Sequence, residues 1–108
     1  MPFKFEKLNI WKLSTDFADE AYLLSRQFLK EEVFILTSQF KRAADSISLN
    51  IAEGSIGQSD AEQKKFVSYA ISSLAESVNC LYLAIKRKYI GQEEFNQLYK
   101  KAEENSQK

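Results

Sequence analysis

Histidine is absent from all 108 residues. That removes the commonest general base at neutral pH and the commonest neutral metal ligand. Cysteine occurs once, at Cys80, so no disulfide can form within the chain. A reducing, cytoplasmic setting is the expectation. Glycine occurs three times and proline once. Sheet proteins need many turns, so this scarcity predicts a few long helices and short loops. Charge of one sign is not in excess either: fifteen basic residues balance fifteen acidic ones. The chain therefore has no single-sign field to steer a polyanion from a distance. No apolar run approaches the ~20 residues that cross a bilayer, so no membrane association is expected. The opening MPFKFEKLNIW lacks the apolar core of a secretory signal.

What is present is a hydrophobic share of 44% and helical periodicity. The length suits one domain with one core. A first helix is predicted over about 9–30, with Ile10, Leu13, Phe17, Ala21, Leu24 and Phe28 on one stripe and Asn9 as its cap. Glu31-Glu32-Val33-Phe34 interrupts it. A second helix follows over about 36–53, with Leu36, Phe40, Ala43, Ile47 and Ile51 on its stripe. Gly54 then stands where a left-handed C-cap would want a residue without Cβ. Ser55-Ile56-Gly57-Gln58 makes the turn, and Ser59-Asp60-Ala61-Glu62 fits a capping box. The stretch SISLNIAEGSIGQSDAEQ is thus read as a helix stop followed by a helix start. Its corner residues are Asn50, Glu53, Gly54, Gly57 and Ser59.

The third helix, about 60–88, carries two adjacent stripes. One is bulky: Val67, Ile71, Leu74, Val78, Leu81 and Ile85. The other is smaller: Phe66, Ala70, Ser73, Ser77, Cys80 and Ala84. A helix on the surface of a core needs one apolar stripe. In a four-helix bundle no helix is central, so the second stripe predicts a self-association face. The last helix spans about 92–102 with Phe95, Leu98, Tyr99 and Ala102 inward, and the tail EENSQK is expected to fray. The fold class is all-α: a four-helix bundle in which short loops make neighbouring helices antiparallel.

Candidate chemistry is sparse. Glu53 and Glu76 are the acidic residues on or near apolar stripes, and two carboxylates without histidine make a weak metal case. No cofactor or metal is expected. Cys80 lies deep in a helix and reads as a buried structural thiol rather than a nucleophile. Gly54-x-x-Gly57 lacks the lysine and the preceding strand of a phosphate loop. Ser59 could serve an anion at a helix start, but capping is the favoured reading. Lys86-Arg87-Lys88 is the densest basic run. With Lys64 and Lys65, and flanked by Tyr82 and Tyr89, it forms a candidate RNA contact. The competing reading is a solvated helix end with cations at the negative end of the dipole. A ring of identical subunits would multiply the patch.

If the second and third helices form a hairpin about Ile56, residues whose numbers sum to about 113 face each other. Arg42 then faces Ile71, Glu76 faces Thr37, Asn50 faces Gln63, and Glu53 faces Asp60. An arginine reaches one helical turn, so Gln39, Arg42 and Glu76 are expected to form a polar cluster that fixes helix register.

These residues also carry a resemblance. Leu8-x-Ile10-Trp11, Leu36-Thr37-Ser38-Gln39-x-x-Arg42-Ala43-Ala44-x-Ser46-Ile47, Asn50-Ile51-Ala52-Glu53-Gly54 and Ala70-x-x-Ser73-Leu74-x-Glu76 resemble the bacterial 23S rRNA intervening-sequence proteins, also labelled S23 ribosomal protein. The likeness covers about Leu8 to Ile90. It implies an up-down four-helix bundle assembled as a homopentamer, with no enzymatic activity. It also implies association with nucleic acid or a nucleic-acid-binding protein, since relatives serve as accessory proteins to a reverse transcriptase. Three positions depart from the family pattern: Ser48 replaces a proline, Gln58 an arginine and Ser72 a glycine. A protein-binding scaffold that never touches nucleic acid is the alternative.

Overall fold

A computed structural model describes residues 3–32, 34–57 and 59–106. Four α-helices account for most of them: α1 (Asn9–Ser25), α2 (Leu36–Ser55), α3 (Asp60–Lys86) and α4 (Gln92–Ser106). Short 3₁₀ turns at Lys4–Lys7 and Lys30–Glu32 precede α1 and α2. No strand occurs among the described residues. The helices pack in the order α1 on α2, α2 on α3, α3 on α4 and α4 on α1, and among the described residues no two backbones approach closely across a diagonal.

The predicted stripes meet in one core. Phe17, Ala21 and Leu24 of α1, Leu36, Phe40, Ala44 and Ile47 of α2, and Phe95, Leu98 and Ala102 of α4 are all buried. On α3 the smaller stripe supplies most of the buried positions, Ala70, Ser77, Cys80 and Ala84. Leu81 of the bulky stripe is fully buried among them, and Leu74, Val78 and Ile85 pack against the core from its edge. Buried hydroxyls bond to their own helices: Ser14 Oγ donates to the Trp11 carbonyl at 2.7 Å and Ser77 Oγ to that of Ser73 at 2.9 Å. Lys101 Nζ lies 3.1 Å from Glu20 and links α4 to α1.

Several boundaries differ from expectation. The first helix ends at Ser25, not Lys30. Arg26, Gln27 and Phe28 donate to the carbonyls of Leu23, Leu24 and Ser25, so the chain tightens into 3₁₀-type bonds. Phe28 still reaches the core, stacked on Phe40 with ring centroids 5.9 Å apart. Leu8 is the N-cap residue, so Asn9 is already helical and its side chain caps nothing. Val33, within the predicted interruption, lies outside the described residues.

Gly54 does not end α2. The helix runs on to Ser55 with Ile56 as its C-cap, and no described glycine has a positive φ. Gly54 is needed for proximity instead: a Cβ there would sit 3.2 Å from the Phe66 Cβ of α3. The left-handed cap occurs elsewhere, at Lys88 (φ 64°), after the end of α3. There the Lys88 amide donates to the Ile85 carbonyl at 3.0 Å and the Tyr89 amide to that of Ala84 at 2.9 Å, the paired bonds of a Schellman ending. α3 therefore ends at Lys86, two residues early. α4 continues past Ala102 to Ser106 with Asn105 buried, so Glu103–Ser106 of the tail is helical. Gln107 and Lys108 lie outside the described residues.

The register of the α2–α3 hairpin is also corrected. Arg42 meets Glu76, Ser46 meets Ser73 and Gly54 meets Phe66. Facing residues thus have numbers that sum to between 118 and 120 rather than 113. Carrying α2 through Gly54 moves the hairpin's midpoint from Ile56 toward Ser59.

Candidate nucleic-acid interface

The five candidate cations occupy two places. Lys64 and Lys65 project from the start of α3, and both are exposed. Lys86, Arg87 and Lys88 lie at its other end. Twenty-two residues of helix separate Lys64 from Lys86, which at 1.5 Å per residue is about 33 Å. One protomer therefore holds two small basic sites and not one patch. The first includes aromatic surface: Lys65 Nζ stands 5.1 Å from the Phe66 ring centroid, and Phe66 meets Tyr69 edge-on at 5.8 Å.

The second site is partly committed to structure. Arg87 Nη1 lies 3.5 Å from Glu32 Oε2. The Tyr89 hydroxyl donates to the same oxygen at 2.7 Å, and Glu32 Oε1 accepts from the Leu36 amide at 3.4 Å. The hydrogen bond from Tyr89 is the main reason the Glu32 carboxyl titrates below the usual range, with the Leu36 amide and Arg87 adding to it. The same bond pushes the Tyr89 hydroxyl up. Sequence reading missed this node, because Glu31-Glu32 registered only as a break between helices.

The polar residues of the α2–α3 seam separate into pairs. Arg42 Nη2 and Glu76 Oε2 are 3.7 Å apart, with both side chains well exposed. Such a pair contributes less than about 1 kcal/mol. Gln39 is exposed and has no hydrogen bond to either of them among the described residues. Deeper in the seam, Ser73 Oγ donates to Ser46 Oγ at 2.9 Å. Asn50 Nδ2 donates to the same Oγ at 2.9 Å and to the Ser46 carbonyl at 2.8 Å. Asn50 thus braces its own helix and does not bond Gln63.

At the corner, Ser59 Oγ accepts from the Glu62 amide at 3.1 Å and caps α3. Glu53 is exposed, and with Ile56, Gly57, Ser59, Glu62 and Phe66 it lines an open hollow. Gln58 lies outside the described residues. Cys80 is buried, and burial, with the nearby Glu76 charge, pushes its thiol pKa up. A raised pKa disfavours the nucleophilic thiolate. No group of three or more metal-ligating side chains occurs among the described residues. No described helix is long and apolar enough to cross a membrane.

The bulky stripe of α3 is left partly bare. Val67 and Ile71 are exposed, Leu74, Val78 and Ile85 are half-buried, and only Leu81 is fully enclosed. α4 has 15 residues against the 27 of α3. The deficit of twelve residues corresponds to about 18 Å of helix. The first ten residues of α3 are exposed apart from half-buried Phe66. An apolar groove of about 600 Å³ opens there, between the C-terminal half of α2 and the N-terminal half of α3, with Lys4, Leu8, Ile10, Asn105 and Ser106 completing its lining.

This arrangement defines an all-α helical-bundle protein with an uncovered hairpin. The chain matches the 23S rRNA-intervening sequence proteins over residues 6–108, and it belongs to that family. Among solved structures it is similar to a protein of unknown function from the S23 ribosomal protein family of Bacteroides thetaiotaomicron, with 25% identity and a TM-score of 0.82. That likeness covers 89% of this chain and 90% of the other. No curated protein matches the chain.

Proposed function

We propose that this protein is a non-enzymatic, cytoplasmic, homo-oligomeric bundle that associates with RNA or with a ribonucleoprotein such as a reverse transcriptase complex. In this reading the four helices run up-down, and five copies form the ring that the family resemblance implies. The observation that carries it is the first half of α3. Val67 lies bare there about one turn, and Ile71 about two turns, from the exposed pair Lys64 and Lys65. Covering the apolar side with identical subunits would repeat the lysines around one rim. Lys64 and Lys65 are the leading phosphate contacts, and Lys86, Arg87 and Lys88 are the secondary ones.

Binding through phosphates releases counterions, so affinity falls steeply with salt. Titrating single-stranded RNA with the protein at several salt concentrations tests the reading. The expected result is a negative salt slope that shrinks when Lys64 and Lys65 are both changed to glutamate. Absent binding at low salt, or binding indifferent to salt, overturns it.

A second reading is a protein-binding scaffold without nucleic-acid contact. The zero formal charge and the engagement of Arg87 with Glu32 favour it. A protein partner that stays bound after nuclease treatment supports this reading over the first.

A further inference from the structure

The α2–α3 hairpin presents two apolar surfaces on opposite sides. The first is the groove, lined by Ile47 and Ile51 of α2 and by Val67, Ile71 and Leu74 of α3, with Lys4 as the one charged lining residue among those described. Val67 is 52% exposed and Ile71 62%. The second surface lies across α2. Leu49 is 63% exposed and Ile56 64%. Ile56 is the C-cap of α2, seven positions on from Leu49, so it continues the Leu49 side of the helix to the rim of the corner hollow. Leu49 is two positions from both Ile47 and Ile51, and at 3.6 residues per turn it points about 160° away from each. Asp45 and Glu53, four residues to either side of Leu49, are exposed and flank this ridge.

We infer that the groove of one copy receives the Leu49–Ile56 ridge of the next. This rests on the self-association proposed above and names the two surfaces that meet. The shapes favour it: a groove takes a ridge, whereas groove against groove leaves a void and leaves both ridges bare. The charges favour it too. The ridge is flanked by carboxylates and the groove carries a lysine, so Lys4 meets Asp45 or Glu53 across the contact. Because the two surfaces differ, the contact is heterologous. A contact of this kind repeats from copy to copy and ends in a ring when the rotation closes.

Complementation tests it. Leu49→Asp removes the ridge and keeps the groove, while Ile71→Asp removes the groove and keeps the ridge. Both positions are mostly exposed, so each variant folds, which circular dichroism checks. Native mass measurement should give an oligomer for the wild type and the single-chain mass of 12.5 kDa for each variant alone. An equimolar mixture should form a species of twice that mass, because one intact groove and one intact ridge remain to meet. Ile56→Asp with Val67→Asp repeats the experiment on the neighbouring residues. If both mixtures stay at the single-chain mass while the wild type assembles, or if either pair keeps the wild-type mass unmixed, the ridge-in-groove contact is wrong and self-association stands. A wild type that stays a lone protomer at tens of micromolar overturns both.

Discussion

The Tyr89 hydroxyl donates to Glu32 Oε2 at 2.7 Å, and this bond ties the turn before α2 to the residue just past α3. Fifty-seven positions of sequence separate the partners. Glu32 titrates low because Tyr89, the Leu36 amide and Arg87 favour its charged form. A depressed carboxyl pKa contributes stability above its unfolded value of about 4.5, and the contribution is lost as pH falls through the folded pKa. For Tyr89 the sign is opposite. Its raised pKa contributes stability below about 10, lost as pH rises through the folded value. Tyr89→Phe should therefore lower the urea midpoint at neutral pH. The loss should shrink as pH drops below the usual carboxylate range. Urea midpoints measured between neutral and strongly acid pH check this, and an unchanged midpoint at pH 7 counts against the role given to the bond.

Lys88 holds a left-handed conformation at φ 64°. That conformation costs a residue with Cβ about 1–2 kcal/mol. Glycine avoids the strain but gains freedom in the unfolded chain, which takes back roughly 0.4–1 kcal/mol. Lys88→Gly should stabilise the protein by about 0.5–1 kcal/mol in urea denaturation. If RNA binding uses Lys88, the same variant should also weaken it, which separates the two roles of the residue.

Gly54 gives the reverse result. Helix propensity alone favours almost any side chain over glycine by up to about 1 kcal/mol. The Phe66 Cβ, however, stands 3.2 Å from where a Cβ would go. That atom is fixed to the backbone of α3 and can yield only if the helix moves. Gly54→Leu should destabilise by about 1–3 kcal/mol, the usual cost of overpacking. Thermal or urea unfolding gives the sign directly.

Ser46 accepts from Ser73 across the seam and from Asn50 along its own helix. Ser73→Ala should cost about 1 kcal/mol. Ser46→Ala removes the acceptor for both donors and should cost more. The double variant should cost less than the two singles together, because both singles break the same bond. Additive losses in the double-mutant cycle would show that the hydroxyls do not interact.

Much of the core was legible in the chain. Phe17, Ala21 and Leu24, then Phe40 and Ile47, recur at helical spacing and are buried, because 3.6-residue periodicity depends only on the chain's own geometry. Choosing which stripe of α3 faces inward was harder. Both stripes are apolar, and only packing against α2 and α4 buries Ala70, Ser77, Cys80 and Ala84 together with Leu81 while leaving Val67 and Ile71 exposed. Helix ends were read less well. Gly54 looks like a stop, yet it serves a close approach that only the partner helix reveals, and that misreading shifted the whole register. Lys88 adopts a glycine-like conformation without glycine's signature. The two basic sites looked like one because sequence position does not convey 33 Å of intervening helix, at about 1.5 Å per residue. Among the residues that carried the family resemblance, Arg42, Ser46, Asn50, Gly54, Ser73 and Glu76 lie along the α2–α3 seam, while Leu36, Ala43, Ala44 and Ile47 are buried in the core.

The shortness of α4 has one more consequence. Among the described residues, the first turns of α3 pack on α2 and on no other helix, so their backbone amides open to solvent by local fraying at little cost. A subunit seated against them would suppress that fraying. Deuterium uptake over residues 60–69 then becomes an internal gauge of occupancy, readable in the native protein without any label or substitution.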